Sequence, residues 1–148
     1  MNKYSDKLFA SGLSGRWNKQ GEKVIYAASS RSLACLENLV HRRGQLKNIH
    51  FKTIVIHIPD ELAIQRVELK DLPERWEQDS APDLCRDIGS TWYQSNNTPI
   101  LSVPSAVIPF ERNLVLNTSH PDFKKVKIIK REPFYFDPRL YRDFNYVK

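Results

Sequence analysis

The sequence is poor in the residues that build disulfide frameworks, zinc sites and glycine-rich nucleotide-binding loops. Its 148 residues include two cysteines, Cys35 and Cys85, and five glycines. Two cysteines without a C-x-x-C spacing supply neither a disulfide framework nor a zinc site, so we expect two small thiols, buried or half-buried. There is no G-x-G-x-x-G or P-loop motif, which argues against the folds that these motifs mark.

Long apolar runs and the common hydrolase motifs are also absent. No stretch approaches the length needed to cross a bilayer, and the first residues lead into no apolar segment of signal-peptide length, so we expect a cytoplasmic protein. Ser105 has no G-x-S-x-G elbow around it, which argues against a serine-hydrolase triad. The four histidines are scattered and no H-E-x-x-H motif is present, so no metal is expected.

What the chain has is the composition of a globular protein, with 41% hydrophobic and 11% aromatic residues. Its length fits one domain, residues 1–148, with one core. The formal net charge of +6 favours an anionic ligand or an acidic partner, or serves solubility alone. Lysines among phenylalanine and tyrosine in the C-terminal third are typical of single-strand binders. Alternate rings of residues 134–136 would face the core, however, so we favour an enzyme over a nucleic-acid binder.

Hydrophobic periodicity predicts two helices and at least six short strands. Ser30 should cap a first helix over residues 32–41, which Gly44 ends, and a second helix should cover residues 83–94. Because strands and helices do not alternate regularly, we predict an α+β domain with mostly antiparallel sheets. The predicted strands are residues 24–28, 52–58, 100–103, 113–117, 126–130 and 134–136.

Two side chains near the N-terminus are candidates for ligand binding. Arg16 follows Gly15 in a turn, and its guanidinium offers paired donors suited to a pyrophosphate or a ribose. Tyr26 lies in the middle of an apolar strand, where its ring could stack on a base. For each residue taken alone, a surface arginine or a core tyrosine with a satisfied hydroxyl is the commoner case.

Glu37 is harder to explain as a structural residue. It falls at the edge of the apolar stripe predicted for the first helix, which consists of Leu33, Leu36, Leu39 and Val40. A carboxylate is costly there unless it has a partner. His41 lies four residues further on, over the same face of the helix. A functional site and a salt bridge from Glu37 to Arg42 or Arg43 are equally consistent with this placement.

Several segments, in their order along the chain, resemble the RES domain family. The resemblance covers residues 13–140, which is most of the chain. The segments are Gly15-Arg16-Trp17-Asn18, residues 24–29 and 33–41, Leu72-Pro73-x-x-Trp76, Ile88-Gly89-x-x-Trp92, residues 103–109, Glu111-Arg112-Asn113, Asn117-x-x-His120-Pro121-Asp122-Phe123 and Phe134-x-Phe136-Asp137-Pro138-Arg139-Leu140.

The resemblance implies an ADP-ribosyltransferase-like fold, with a split mixed β-sheet core, flanking helices and NAD held between the sheets. It implies the toxin of a bacterial toxin–antitoxin system that cleaves the nicotinamide–ribose bond of NAD, an NAD glycohydrolase. The alternative activity is an ADP-ribosyltransferase acting on a cellular protein. NAD would be the substrate, with no cofactor, and the partner an Xre-type helix-turn-helix antitoxin. Direct nucleic-acid or membrane contact is not expected, and a homodimer is one option.

The family's catalytic arginine, tyrosine and glutamate match Arg16, Tyr26 and Glu37. By this match Arg16 would hold the diphosphate or adenosine side of NAD, and Tyr26 would pack against the nicotinamide ring. Glu37 would accept a hydrogen bond from the nicotinamide ribose and stabilise the positive charge that develops there, as in glycoside hydrolysis. Further substrate-binding positions of the family match His41, Ser105 and Asn113. By the same match His41 would orient Glu37 or tune its protonation, and Ser105 would donate either to the ligand or to Glu37.

The N-terminus departs from the family pattern. Related domains usually begin with a strand that contains a Tyr-Arg or Phe-Arg pair, whereas this chain opens at Met1-Asn2-Lys3-Tyr4. We therefore expect the N-terminal strand of the family to be missing, which would leave a sheet edge unpaired. An alternative of another class is thus a truncated, inactive domain that only binds an antitoxin or repressor partner.

Overall fold

A computed structural model describes residues 7–43, 50–78 and 82–140. The helices are α1 (Arg31–His41) and α2 (Pro82–Ser95). The strands are β1 (Val24–Ala28), β2 (Phe51–His57), β3 (Ile64–Arg66), β4 (Ile100–Pro104), β5 (Arg112–Asn117) and β6 (Lys127–Phe134). Within the described ranges, neither helix combines the length and the apolar character needed to cross a membrane.

The strands form two separate sheets. The larger has the order β1-β5-β4-β3, in which β3 runs parallel to β4 and the other pairs are antiparallel. The smaller is the antiparallel pair β2-β6, with a bulge after Val55. This mixed, mostly antiparallel arrangement with two helices is the predicted α+β class.

The four-stranded sheet separates two hydrophobic clusters. Side chains directly opposite one another in adjacent strands share a face, so the Leu101–Val115 pair points to one side and the Ile100–Leu116 pair to the other. The first side packs against α2 and holds all three tryptophans, Trp17, Trp76 and Trp92. The second side packs against the β2-β6 sheet and residues next to it.

Helix α1 confirms the predicted cap and corrects the predicted stripe. The Ser30 side chain accepts a hydrogen bond from the Leu33 backbone N–H at 3.1 Å, and the helix begins one residue earlier than predicted. It ends at His41; Gly44, the predicted end, lies outside the described residues. Leu33 is fully buried and Leu39 is half-buried, but Leu36 and Val40 are 36% and 56% exposed, so part of the predicted stripe faces away from the core.

The C-terminal strands also differ from the prediction. Residues 126–130 and 134–136 were expected to form two strands, but one strand, β6, runs through Pro133. Pro133 has no backbone N–H to donate. It is tolerated in β6 because each strand of a two-stranded sheet has one edge that pairs with no other strand. Phe136 is buried and Tyr135 is 77% exposed, so alternate rings face the core as predicted.

The outcomes for β3, the two cysteines and the N-terminus differ from one another. β3 was not predicted, because its three residues are all exposed and too few to show a period. The cysteine prediction is confirmed, since Cys35 is half-buried, Cys85 is buried and both are free. The predicted absence of an N-terminal strand concerns residues that precede the described part of the chain.

Candidate active site

The hydroxyl of Tyr26 is held by the N-terminal loop, residues 12–22. It donates to Asn18 Oδ1 at 2.7 Å and accepts from the Trp17 backbone N–H at 3.0 Å. A Cβ on Gly15 would lie 2.7 Å from the Tyr26 oxygen, so a glycine is needed for this close approach. The conformation of the loop and the position of the tyrosine therefore depend on each other.

The ring of Tyr26 remains accessible although its hydroxyl is enclosed. The residue is 44% exposed, and since the oxygen is occupied by two hydrogen bonds, the exposed area belongs mainly to the ring. Burial raises the pKa of the phenol to about 12, an effect that the nearby Arg86 and Arg16 charges partly oppose. Tyr26 thus presents a neutral aromatic surface on the edge strand β1.

The N-terminal loop is fixed to helix α2 by a buried carboxylate that sequence reasoning missed. Glu22 is 5% exposed and accepts hydrogen bonds from the Lys19 backbone N–H and from Ser90 Oγ. The helix comes so close that a Cβ on Gly89 would collide with the carbonyl oxygen of Trp17. The sequence around Glu22 contains no apolar period that would have indicated its burial.

Arg16 is bound to the backbone in this structure. Its Nη1 donates to Trp76 O at 2.9 Å and to Gln78 O at 3.4 Å, and its Nη2 donates to Glu77 O at 2.9 Å. Arg16, expected at the diphosphate or adenosine side of NAD, therefore joins the N-terminal loop to residues 76–78.

A second arginine, Arg86 of α2, lies beside the same loop. Its Nε donates to Gly15 O at 3.2 Å. Its Nη1 lies 3.6 Å from Asp83 Oδ1, in an ion pair whose carboxylate is 93% exposed and well screened. Arg86 could not be singled out from the sequence, because charged residues are common on the polar side of a helix.

The carboxylate of Glu37 receives two hydrogen bonds on the same oxygen. Glu37 Oε1 accepts from Ser105 Oγ at 2.7 Å and from Asn113 Nδ2 at 2.5 Å. Asn113 is opposite Ala28 in β1 and opposite Val103 in β4, so the two donors come from the strand ends next to which α1 begins. We call Glu37, Ser105 and Asn113 the carboxylate site.

Within the carboxylate site, two atoms are notable. Ser105 is fully buried, and its Oγ also accepts from the backbone N–H groups of Val107 and Ile108, each at 3.0 Å. Asn113 Oδ1 is buried and has no hydrogen-bond partner among the described residues. A buried amide oxygen without a partner is uncommon in folded proteins.

The remaining candidate, His41, stands apart. It is exposed in the last turn of α1, and within the described ranges no hydrogen bond or ion pair joins it to Glu37. In the same part of the chain Glu37 has no salt bridge to Arg42 or Arg43; the Arg42 guanidinium lies 5.0 Å from the centre of the Phe51 ring.

The sheet brings Tyr26 close to the carboxylate site. Tyr26 is opposite Val115 and Ala28 is opposite Asn113, so Tyr26 and Asn113 are diagonal neighbours on one face, a separation of about 7–8 Å. An aromatic surface, a carboxylate and two guanidinium groups thus lie near one edge of the larger sheet. Such a set can stack on a base, stabilise a developing positive charge and attract phosphate.

A cavity of about 450 Å³ lies between the two sheets, beside α1. Tyr26, Cys35, Ile54 and Phe134 are among its lining residues, whereas Arg16 and the carboxylate site are not. Of the expected site residues, therefore, Tyr26 adjoins both the cavity and the carboxylate site. No group of three or more His, Cys, Asp or Glu side chains in the described ranges is placed to hold a metal ion.

The fold is shared with a known toxin structure. A chain from the crystal structure of the M. tuberculosis MbcT–MbcA toxin–antitoxin complex matches with a TM-score of 0.76, over 95% of this chain and 83% of that chain. At 17% sequence identity the likeness concerns the fold alone. It confirms the predicted ADP-ribosyltransferase-like α+β architecture.

Sequence comparisons identify the family. A protein named Prs ADP-ribosylating toxin, from Sphingobium sp., is 42% identical over 130 residues, which span 86% of this chain and 81% of that protein. A protein named Toxin Res, from Yersinia enterocolitica, is 41% identical over 127 residues, which span 85% and 83%. The family model of the RES domain matches residues 4–137. The chain belongs to the RES domain family.

Proposed function

We propose that this protein is the toxin of a bacterial toxin–antitoxin system and that it cleaves the nicotinamide–ribose bond of NAD. The observation that carries the proposal is the carboxylate site: Glu37 is oriented by Ser105 and Asn113 on the sheet face that also carries the exposed ring of Tyr26. Membership of the RES family and the names of the relatives, Toxin Res and Prs ADP-ribosylating toxin, support it.

Glu37 would act on the charge that forms as the bond breaks. The bond between the ribose carbon and the nicotinamide nitrogen breaks with its electron pair going to nicotinamide, which leaves positive charge on the ribose. Within the described ranges both hydrogen bonds of Glu37 go to Oε1, which leaves Oε2 to accept from a ribose hydroxyl and to stabilise that charge. Water then adds to the ribose carbon and loses a proton, giving ADP-ribose.

Tyr26 and the two arginines would bind the rest of the substrate. The accessible ring of Tyr26 offers a surface for the nicotinamide, while its hydroxyl stays bonded to the N-terminal loop. Of the two guanidinium groups beside that loop, Arg86 makes fewer bonds to backbone carbonyls than Arg16 and is better placed to meet a phosphate. NAD enters as the substrate, and no cofactor is required.

Transfer of ADP-ribose to a cellular protein is the second candidate function. It is favoured by the 42% identity to a relative that is named as an ADP-ribosylating toxin. The carboxylate site would act in the same way, with a nucleophile of the target protein in place of water. We also propose an antitoxin partner of the Xre type; the structural neighbour comes from a toxin–antitoxin complex.

The test compares NAD consumption by purified wild-type protein, freed of any partner, with Glu37→Gln. We expect wild type to release nicotinamide and Glu37→Gln to be about 100-fold slower or worse. Glu132→Gln is the matched control, since Glu132 also accepts hydrogen bonds from a neighbouring side chain but lies on β6 and outside the carboxylate site. Thermal melting establishes that each variant is folded.

Two outcomes would change the proposal. If folded Glu37→Gln consumes NAD as fast as wild type, Glu37 is not the group that stabilises the charge. If folded wild type consumes no NAD, either alone or with a cell lysate, the domain is one that only binds a partner. Mass spectrometry of the lysate separates the two activities, because transfer leaves a modified protein and hydrolysis leaves free ADP-ribose.

A further inference from the structure

The hydrogen bonds around Ser105 leave its hydroxyl with one role. A serine hydroxyl has one proton to donate and two lone pairs that accept. Both acceptor positions are taken by the backbone N–H groups of Val107 and Ile108. The proton is therefore committed to the remaining neighbour, Glu37 Oε1, at 2.7 Å.

The surroundings of Ser105 also exclude direct contact with a substrate. The residue is fully buried, directly after β4, so no ligand atom can reach its oxygen while the present contacts are kept. Of the two roles expected for Ser105, donor to the ligand or donor to Glu37, these contacts fit the second. Its hydroxyl has no capacity left for a ligand, neither as a donor nor as an acceptor.

The effect of Ser105 is instead on the orientation of Glu37. The second donor, Asn113 Nδ2, binds the same carboxylate oxygen, so Oε1 accepts two hydrogen bonds while Oε2 accepts none from the residues that the structure describes. The orientation of the Asn113 amide follows from this contact, because the reverse orientation would place its oxygen against the carboxylate. A carboxylate fixed in this way needs no reorganisation when charge develops near Oε2.

We infer that Ser105 is a positioning residue, which acts through Glu37 by fixing Oε1 so that Oε2 faces the reacting ribose. The inference rests on the proposed function for the identity of the substrate. It goes beyond that function because it distinguishes residues that contact NAD from residues that only orient Glu37. Asn113 shares the positioning role through its Nδ2, while its Oδ1 has no partner in the described part of the chain.

Ser105→Ala is the direct test, measured on the full chain in two ways. The first is steady-state kinetics with NAD: kcat should fall, by up to about 100-fold for a misplaced catalytic group, while KM stays unchanged. A residue that binds substrate would give the opposite division, with a higher KM and an unchanged kcat. Ser105→Thr, which keeps the hydroxyl, should recover much of the lost kcat.

The second readout is the ¹³C NMR signal of the Glu37 side-chain carboxylate in the free protein, assigned by its disappearance in Glu37→Gln. Ser105→Ala should shift this signal. Ser90→Ala is the matched control, since Ser90 is also a buried serine that donates to a buried glutamate, Glu22. It should shift the Glu22 signal and leave that of Glu37 in place.

Each outcome decides the inference. The inference is overturned if the Glu37 signal does not move in folded Ser105→Ala. It is also overturned if Ser105→Ala raises KM and leaves kcat unchanged. Should Ser105→Ala fail to fold, Ser105→Cys takes its place, because a thiol has nearly the same shape and is a weaker donor. If wild type consumes no NAD, the proposed function fails, and the carboxylate signal alone still decides whether Ser105 positions Glu37.

Discussion

The N-terminal loop and the carboxylate site use polar side chains in different ways. Around the loop, these polar side chains are all bonded to other groups of the protein: the Glu22 carboxylate, the Arg16 guanidinium and the hydroxyl of Tyr26 on β1. In the carboxylate site, Glu37 Oε2 and the buried amide oxygen of Asn113 have no hydrogen-bond partner among the described residues. These polar groups of the loop region are thus bonded within the protein, whereas the carboxylate site keeps one acceptor, Glu37 Oε2, for a ligand.

The largest effect on stability should come from breaking the loop at its contact with α2. Gly89→Ala would place a Cβ against the carbonyl of Trp17, and such overpacking costs about 3 kcal/mol of unfolding free energy. Thr91→Ala, an exposed position on the same helix, is the control and should change little. Urea denaturation measures both; equal stabilities would mean that the loop is free to move away from α2.

The two arginines sharpen the comparison, because the Arg16 guanidinium donates to three backbone carbonyls and the Arg86 guanidinium to one. Arg16→Gln removes charged donors from the carbonyls of residues 76–78 and should lower stability by roughly 2 kcal/mol. Arg86→Gln should leave stability within about 1 kcal/mol and weaken ADP-ribose binding about tenfold.

Calorimetric titration with ADP-ribose, together with urea denaturation, gives both values for each arginine variant. The assignment of roles would be reversed if Arg16→Gln kept its stability and lost binding while Arg86→Gln bound normally. Arg66→Gln provides the control for loss of a surface charge, since its pair with Glu68 is exposed on both sides.

The smallest effect is expected at alkaline pH, from Tyr26. Its pKa is raised by burial from 10.0 to about 12, so between these values the folded protein keeps a proton that the unfolded chain loses. Stability should therefore fall as the pH rises through that window, and should fall less steeply in Tyr26→Phe. Absorbance titration at alkaline pH should show that Tyr26→Phe lacks the component of highest pKa; an unchanged titration curve would contradict the enclosed hydroxyl.

Local elements of the fold could be predicted because their signals lie within a few residues. The cap at Ser30 needs only the residues that follow it, and strand β1 needs only its own apolar run. The partial exposure of Leu36 and Val40 could not be predicted in this way, because it depends on where α1 lies relative to the sheets. The same holds for β3, whose three residues join the sheet by pairing with β4.

In the candidate site, too, one residue could be predicted from the local sequence and its contacts could not. Glu37 could be singled out from the apolar stripe around it, but its two donors are 68 and 76 residues away and enter through strand pairing. The family match offered Ser105 as a donor either to the ligand or to Glu37, and it placed Asn113 in the substrate pocket without indicating its contact with the carboxylate. The burial of Glu22 and the position of Arg86 beside Gly15 are likewise tertiary facts, with no local period to mark them.

The placement of the tryptophans makes this protein a natural fluorescence probe of one side only. All three indoles lie in the cluster that α2 covers, and the Trp17 and Trp76 rings are 6.1 Å apart. Trp17 belongs to the N-terminal loop, and Arg16 of that loop donates a hydrogen bond to the carbonyl of Trp76. Tryptophan emission will therefore change when the N-terminal loop moves, without an added label. Changes confined to the β2-β6 sheet will alter the emission little.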